Sequence, residues 1–474
     1  MAVFSGTLRE DDTRTIRVLP VEVPAGTRQI IVDLVYAPRT VDDRTMGLAL
    51  IERVRTREGM MESAEQMLDR FAPLRNLLNI TAFDPGGTFR GRWDRNRPGQ
   101  SSSAIIAEQG SSPGMVDGAI PDGIWQMCLE VHEILTPCRY TLRVECLDAL
   151  LARATPPRSL VVQAPQRDWL AGDLHLHSDH SDGRQPVEAV ARALAAAGLD
   201  FFALTDHNTT SGLRDLPDGG PVNLPGVELT TFWGHATCLG IRQFIPWYEG
   251  ERMRRFRQIA GDVHGAGGLI CVAHPFSPPQ PLCAGCRWEY PGFEWTDADL
   301  LEIWNGDWDE HAPINVAAVQ LWDRLLTSGL RIWGVAGSDM HDIEHLRHKR
   351  YARTHVHARG RSAGEVLRGL REGRIVLSSG PMVTLEVEAA GRRYGIGDTA
   401  VVPAGSDVVV RGSANGAPER AQVNLVVGGR RVRCGARWEQ VVRVESPTWL
   451  RAEVVDGQTY LAMTNPVFVD LAAA

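Results

Sequence analysis

The stretch Gly172-Asp173-Leu174-His175-Leu176-His177-Ser178-Asp179-His180-Ser181-Asp182-Gly183 constrains this chain more than any other. Successive residues of a β-strand point to opposite faces, so His175 and His177 on a short strand project to one side together, as two imidazoles sharing a metal must. Asp182 follows in a turn closed by Gly183. This line alone predicts a metal site.

Three later segments each carry an apolar run into a ligand-type residue. They are Phe201-Phe202-Ala203-Leu204-Thr205-Asp206-His207-Asn208, Gly268-Leu269-Ile270-Cys271-Val272-Ala273-His274-Pro275 and Ile332-Trp333-Gly334-Val335-Ala336-Gly337-Ser338-Asp339-Met340-His341. Buried parallel strands read as such runs, and in a βα barrel the chemistry lies at their C-terminal ends. Asp339 and His341 repeat the spacing of His175 and His177, and Glu228 in Pro225-Gly226-Val227-Glu228-Leu229-Thr230 adds a carboxylate able to bridge two ions.

The ordered set H-x-H-x4-D-G, T-D-H-N, a Glu after a short strand, A-H-P and S-D-x-H resembles the polymerase-and-histidinol-phosphatase (PHP) superfamily of metal-dependent hydrolases, over roughly residues 166–380. The resemblance implies an α/β fold, a distorted seven-stranded (β/α)7 TIM-like barrel, binding two to three divalent ions. Within it the branch that includes carbaryl hydrolase is the most similar, because β-rich segments flank the barrel and Trp233-Gly234-His235-Ala236 follows the Glu. By resemblance a first ion takes His175, His177, Glu228 and Asp339, a second Glu228, His235 and His274, and a third Asp182, His207 and His341. These nitrogen and oxygen donors suit Zn, Mn or Fe and do not choose among them. The implied chemistry is metal-assisted hydrolysis, which needs no Ser or Cys nucleophile.

Outside the ligand set, His180, His311, His345 and His348 are candidates for the general acid, and Asp206 for a carboxylate orienting the His207 ring. Arg184, Lys349, Arg350 and Arg353 lie near the motifs and could hold a phosphate. Against that, eight of the thirteen tryptophans fall between Trp233 and Trp333, with Trp288, Trp295, Trp304 and Trp308 in or beside strand-end loops, which suggests an aryl-accepting pocket. The expected substrate is a small organic ester, carbamate or amide, with a phosphoester as the alternative. A non-catalytic metal-binding module is the reading from another class, disfavoured because every motif is intact.

At 474 residues the chain should divide into a β-rich sandwich over 1–165 with a helical insertion, the barrel over 166–380 and a small β-sandwich over 381–474. The insertion is expected as a helix from Met60 to Leu78, and Arg92 to Gly118 as a long loop. In the barrel, helices are predicted from Pro186 to Gly198, Tyr248 to Ala266, Pro313 to Ser328 and Ser362 to Glu372, and Pro156-Pro157 and Ala164-Pro165 mark the linker before it. A formal charge of −8 disfavours a nucleic-acid partner, no apolar run is long enough to span a membrane, and Met1-Ala2-Val3-Phe4-Ser5-Gly6 lacks the features of a signal peptide, so a cytoplasmic location is expected. The partner is then a small-molecule substrate, with the oligomeric state open. Most of the eight cysteines lie in apolar runs and are expected as reduced, buried thiols; Cys283 and Cys286 form a C-x-x-C read as unliganded loop cysteines.

Overall fold

A computed structural model describes residues 1–93, 102–149 and 168–473. In the first part, two four-stranded antiparallel sheets face one another. One has the order Ala2–Leu8, Cys138–Leu147, Gln29–Ala37, Ser103–Ala107, and the other Thr15–Val23, Gly123–Glu133, Leu77–Phe83, Phe89–Trp93. Alternate residues of both, among them Val32, Leu142, Ile80 and Leu129, fill the space between them.

The insertion departs from expectation. It holds two helices, Arg44–Glu58 and Ala64–Phe71, and chain beyond them returns as a strand at Leu77. The second helix starts at 64 because Ser63 accepts from the Gln66 backbone at 3.2 Å while the Gln66 side chain takes the Ser63 N–H at 3.2 Å, a reciprocal cap. The expected loop from 92 to 118 is interrupted by the strand Ser103–Ala107, whose apolar residues pair with Gln29–Ala37. Residues 94–101 of that loop and both Pro-containing linker pairs lie outside the described residues.

The central part is a mixed sheet. Trp169–Asp173, Phe201–Leu204, Val222–Thr231, Leu269–Val272, Leu300–Asn305, Trp333–Gly337 and Ile375–Ser378 run in one direction, whereas Gly234–Leu239 and Arg353–His357 run against them. The two reversed strands depart from a uniform parallel alternation. Past the strand ends, Asp339 N–H donates to His175 O at 2.8 Å and His177 N–H to Met340 O at 3.0 Å, so the first and sixth of the co-directional strands meet there. The core beneath is formed by Phe201, Leu301, Ile303, Trp322 and Val335.

Helices Val187–Ala196, Phe256–Gly265, Trp308–Thr327 and Ala363–Arg371 connect the strands. The second begins eight residues later than expected, since the residues before it form the small hairpin Tyr248–Glu249 with Arg252–Met253. The third begins five residues earlier, capped by Asp307, and breaks at His311 (φ −110°) two residues before Pro313, where the proline ring can no longer continue the preceding turn.

The last hundred residues form two sheets around Val387, Val410, Leu425 and Ala452. One is Arg392–Gly395, Met382–Ala389, Ser406–Asn415, Arg437–Val444; the other is continuous with the central sheet, because Thr459–Thr464 pairs with Ile375–Ser378. Among the described residues no helix is long and apolar enough to cross a membrane.

Candidate metal centre

The nine expected ligands gather at one end of the central sheet. His175, His177, His207, His274, Asp339 and His341 lie just past strand ends, while Glu228 and His235 sit on the paired strands Val222–Thr231 and Gly234–Leu239. His175 and His177 lie beyond the strand Trp169–Asp173 and not on it, but extended backbone keeps both rings on one side, 5.3 Å apart. Two glycines permit the approach. A Cβ on Gly183 would fall 2.6 Å from the His177 carbonyl carbon, and one on Gly337 would collide with Glu302 and with the His175 side chain.

Donor atoms fall into four overlapping groups, each within 4.8 Å: His177, Asp182, His207 and His341; His175, Glu228 and His274; His175, His177 and Asp339; and His207, Glu228 and His235. The partition differs from the expected one, since His177 also joins the Asp182 group and His207 also joins His235. Glu228 is the hub. Its Oε1 lies 3.2 Å from His175 Nε2, 2.9 Å from His235 Nδ1 and 3.2 Å from His274 Nε2, and its Oε2 3.3 Å from His177 Nε2 and 2.9 Å from His207 Nδ1.

Burial pushes the Glu228 carboxyl up, but the imidazoles of His175, His207 and His235 outweigh it and hold the group well below the ordinary carboxylate range. Asp339 is treated the same way by burial against His175, His177 and His341. Burial pulls His235 down to about 4 despite Glu228, whereas Asp182 overcomes burial to raise His341 to about 9. One ring nitrogen each of His177, His235 and His274 is buried without a hydrogen-bond partner. Imidazole nitrogens packed round ionised carboxylates are the donor set that divalent cations take, and a bound cation would displace the protons that the carboxylates now hold on rings such as His341. The backbone agrees: His274 (φ 28°), Asp339 (φ 51°) and Asn208 (φ 48°) are non-glycine residues held in the left-handed region, where strain persists only if the surroundings over-determine it.

The residues expected to act beside the ligands are placed elsewhere. His180 is buried between Ser211 Oγ and Asp215 Oδ2, each 2.8 Å away. Asp206 does not orient His207; it accepts from Ser178 N–H at 2.8 Å and from the Ser178 and Ser181 hydroxyls at 2.7 Å, tying down the loop after His177. His207 is instead positioned by Thr230 Oγ1 at 2.5 Å. His311 Nδ1 faces Asn305 O at 3.0 Å at the helix break. Arg353 donates to the Ala197 carbonyl at 2.6 Å, at the end of a helix. Arg184 pairs with Asp342 and Lys349 with Glu310, and the Arg350 backbone is tied to Asp307.

A cavity of about 360 Å³ opens onto Asp182, His207 and His235. Its walls are Phe71, Pro73, Leu74 and Leu77 from the first part of the chain and Pro281, Leu282, Ala284 and the Cys283–Cys286 pair from the loop after His274. No tryptophan, and none of His180, His311, His345, His348 or the four basic residues named above, lines it. Trp304 and Trp308 are core residues, 0% and 2% exposed, stacked edge to face at 4.9 Å, which removes them as an aryl-accepting wall. Cys283 and Cys286, expected as unliganded loop cysteines, lie in a loop and are joined as a disulfide: a turn through Gly285 (φ 73°) brings their Cα atoms to 5.6 Å. Cys128, Cys138, Cys238 and Cys271 are buried and free as expected.

Two carboxylates at the centre escaped the sequence reading. Glu302 Oε1 lies 3.1 Å from His175 Nδ1 and its Oε2 accepts the His274 N–H at 2.8 Å, while Asp173 Oδ1 accepts from the His175 and Ser338 backbones at 3.1 and 3.0 Å. Glu302 had a signal, a lone acid inside the apolar strand Leu300–Asn305. Arg75 is a third omission: it lines the cavity, is exposed, and has no ion pair among the described residues.

Residues 173–245 match the PHP domain, a span that includes His175, His177, Asp182, His207, Glu228 and His235 and stops short of His274, Asp339 and His341. A 3',5'-nucleoside bisphosphate phosphatase of Chromobacterium violaceum is 38% identical over 116 residues, 21% of this chain. The chain spans 40% of the length of that curated relative. Among solved structures, a two-domain protein containing a predicted PHP-like metal-dependent phosphoesterase from Bacteroides vulgatus is 16% identical, covering 66% of this chain and 100% of its own, with a TM-score of 0.37. An amidohydrolase from Chromobacterium violaceum is 20% identical over 36% of this chain and 87% of its own, with a TM-score of 0.25.

Proposed function

We propose that the protein is a metal-dependent hydrolase of the PHP kind that cleaves a phosphate ester, on a distorted (β/α)7 barrel over residues 166–380 with β-sandwiches on either side. What carries the reading is the hub arrangement, one ionised carboxylate within 3.3 Å of five imidazoles, three of which keep an unpartnered ring nitrogen. His175, His177, Asp182, His207, Glu228, His235, His274, Asp339 and His341 would hold two to three ions. Bound divalent ions supply Lewis acidity toward the scissile group and the attacking water.

The protein's own residues then do three things. Glu228 gathers five rings, and Glu302 fixes the tautomer and orientation of His175, as ligand imidazoles require. Arg75, the exposed cation in the cavity, meets the anionic oxygens of the ester. Phe71, Leu74 and Leu282 exclude water from the leaving group. The name of the 38% identical relative favours phosphate. Those apolar walls favour a second reading, an organic ester or carbamate as in the carbaryl-hydrolase branch.

A panel of p-nitrophenyl phosphate, bis-p-nitrophenyl phosphate, p-nitrophenyl acetate and an aryl carbamate, run on Zn- and Mn-loaded protein, tests this. Turnover of a phosphate, lost on chelation, is expected. Turnover of the acetate or carbamate alone would replace it with the second reading, and none at all on protein carrying metal would leave a binding module.

A further inference from the structure

Beside the metal-ligand cavity lies a second, of about 290 Å³, which shares the walls Glu133 and Pro281 with the first. Its remaining charged walls are Arg14, Arg53, Arg57 and Glu10. Arg53 and Arg57 stand one turn apart on the helix Arg44–Glu58, so a single helix face brings both cations to the cavity. Arg53 reaches Glu10 at 3.1 Å, an exposed pair that binds weakly and exchanges readily, while Arg57 reaches Glu58 at 2.9 Å and donates to the Gln280 carbonyl at 3.3 Å.

Arg14 is held differently. Its φ is 63°, its N–H is fixed to Val131 O at 2.8 Å, and its guanidinium lies 5.4 Å over the Trp233 ring. Among the described residues the one carboxylate within ion-pair reach is Glu289, at 3.8 Å, and Arg14 Nε is buried without a hydrogen-bond partner. Of the five non-glycine residues with left-handed backbone among those described, three are at the metal centre, Ala390 is in a hairpin turn, and Arg14 is the fifth. Strain of this sort collects at ligand clamps. Glu133 does not oppose an anion here, since burial raises its carboxyl to about 8 against the pull of Arg14 and leaves it neutral at neutral pH.

We propose that this second cavity is an anion subsite for the part of the substrate that is not cleaved, so that the substrate is an elongated molecule with the scissile ester at one end and a second phosphate or carboxylate at the other. Arg14 supplies an undersatisfied guanidinium suited to two parallel hydrogen bonds, and Arg53 and Arg57 add charge around it. Glu133 and Pro281 line both cavities, which places the two side by side. This rests on the hydrolase reading above and names its substrate class.

The test compares nitrophenyl phosphate with nitrophenyl phosphates bearing a carboxylate, or a phosphonate, on alkyl tethers of increasing length. One tether length is expected to raise kcat/KM roughly tenfold or more, through KM, as charge-assisted hydrogen bonds allow. Arg14→Gln and, as a variant on an exposed helix face that leaves the fold alone, Arg57→Gln should each remove most of that preference. The carboxylate and phosphonate arms tell which anion the subsite takes. In parallel, calorimetry with phenylphosphonate and its tethered analogues, on metal-loaded and metal-free protein, reads the subsite without turnover. If no ester is hydrolysed, the hydrolase reading fails while calorimetry still judges the subsite. A tethered anion with no advantage in either assay, or an advantage that both variants leave intact, overturns the proposal.

Discussion

Glu228 and Glu302 differ in what their loss should do. Glu228 touches five rings, so Glu228→Gln removes the charge that offsets them, and hydrolysis should fall at least a hundredfold with metal content falling alongside; His175→Ala and Asp339→Ala should behave likewise. Activity within tenfold of wild type at full metal supply would take these residues out of the centre. Glu302 acts through His175 and through the His274 backbone, so Glu302→Gln should lower metal affinity by about 10–100-fold and leave activity recoverable with excess metal, as read by titration against a chelator. The nine candidate residues could be grouped from sequence because each carries a donor atom in a short motif just past a strand end, in the turn after one or, for Glu228 and His235, on a strand, where local spacing speaks. His180, Asp206 and Arg353 could not be placed, because their partners Asp215, Ser178, Ser181 and Ala197 are chosen by tertiary contacts that no local pattern encodes. Trp304 and Trp308 misled for a related reason: bulky aromatics near a strand end face the core or the cavity according to helix packing behind them.

At the scale of elements, the strand Gly123–Glu133 carries two buried glutamates shifted in opposite directions. Burial alone would raise Glu130, but Arg92 and His132 bring it down to about 2, with Thr81 and Tyr248 also donating to it. Glu133, facing only the charge of Arg14, is raised by burial to about 8. Both start near 4.5 when unfolded, so the signs follow. The Glu130 contribution is present above pH 4.5 and is lost as pH falls toward 2; the Glu133 contribution is present below 4.5 and is lost as pH rises toward 8. At about 1.36 kcal/mol per pKa unit these amount to about 3 kcal/mol for Glu130 and about 5 kcal/mol for Glu133. Urea melts across this range should therefore show stability falling on both sides, and Glu133→Gln should flatten the alkaline side while Glu130→Gln, which strands Arg92, should destabilise at every pH by roughly 3 kcal/mol or more. Unchanged curves in both variants would refute the assignment. The strand was visible in the sequence, and its helical neighbours less so: the helix Arg44–Glu58 buries only Leu50, Ile51 and Val54 beside Gly47, too narrow an apolar stripe to signal amphipathic periodicity.

Over the whole molecule, the C-terminal part is expected as a separate small β-sandwich over 381–474, yet the pairing of Thr459–Thr464 with Ile375–Ser378 makes one of its sheets an extension of the central sheet. Such long-range pairing has no local signature, which is why strand alternation revealed the strands and not their partners. Asn465, next to the junction, ties it to a strand of the candidate metal centre. Asn465 is fully buried; its Oδ1 accepts the Gly334 N–H at 2.9 Å and its Nδ2 donates to the Gly334 carbonyl at 2.7 Å. Gly334 belongs to Trp333–Gly337, the strand that delivers Asp339 and His341. Asn465→Ala leaves two buried backbone groups unpaired, at roughly 1–3 kcal/mol each. The expected outcome is a lower thermal midpoint together with weaker metal retention in dialysis, although Asn465 touches no ligand. A variant that melts lower but keeps its metal as wild type does would mean that the C-terminal sheet supports the fold without setting the position of Asp339 and His341.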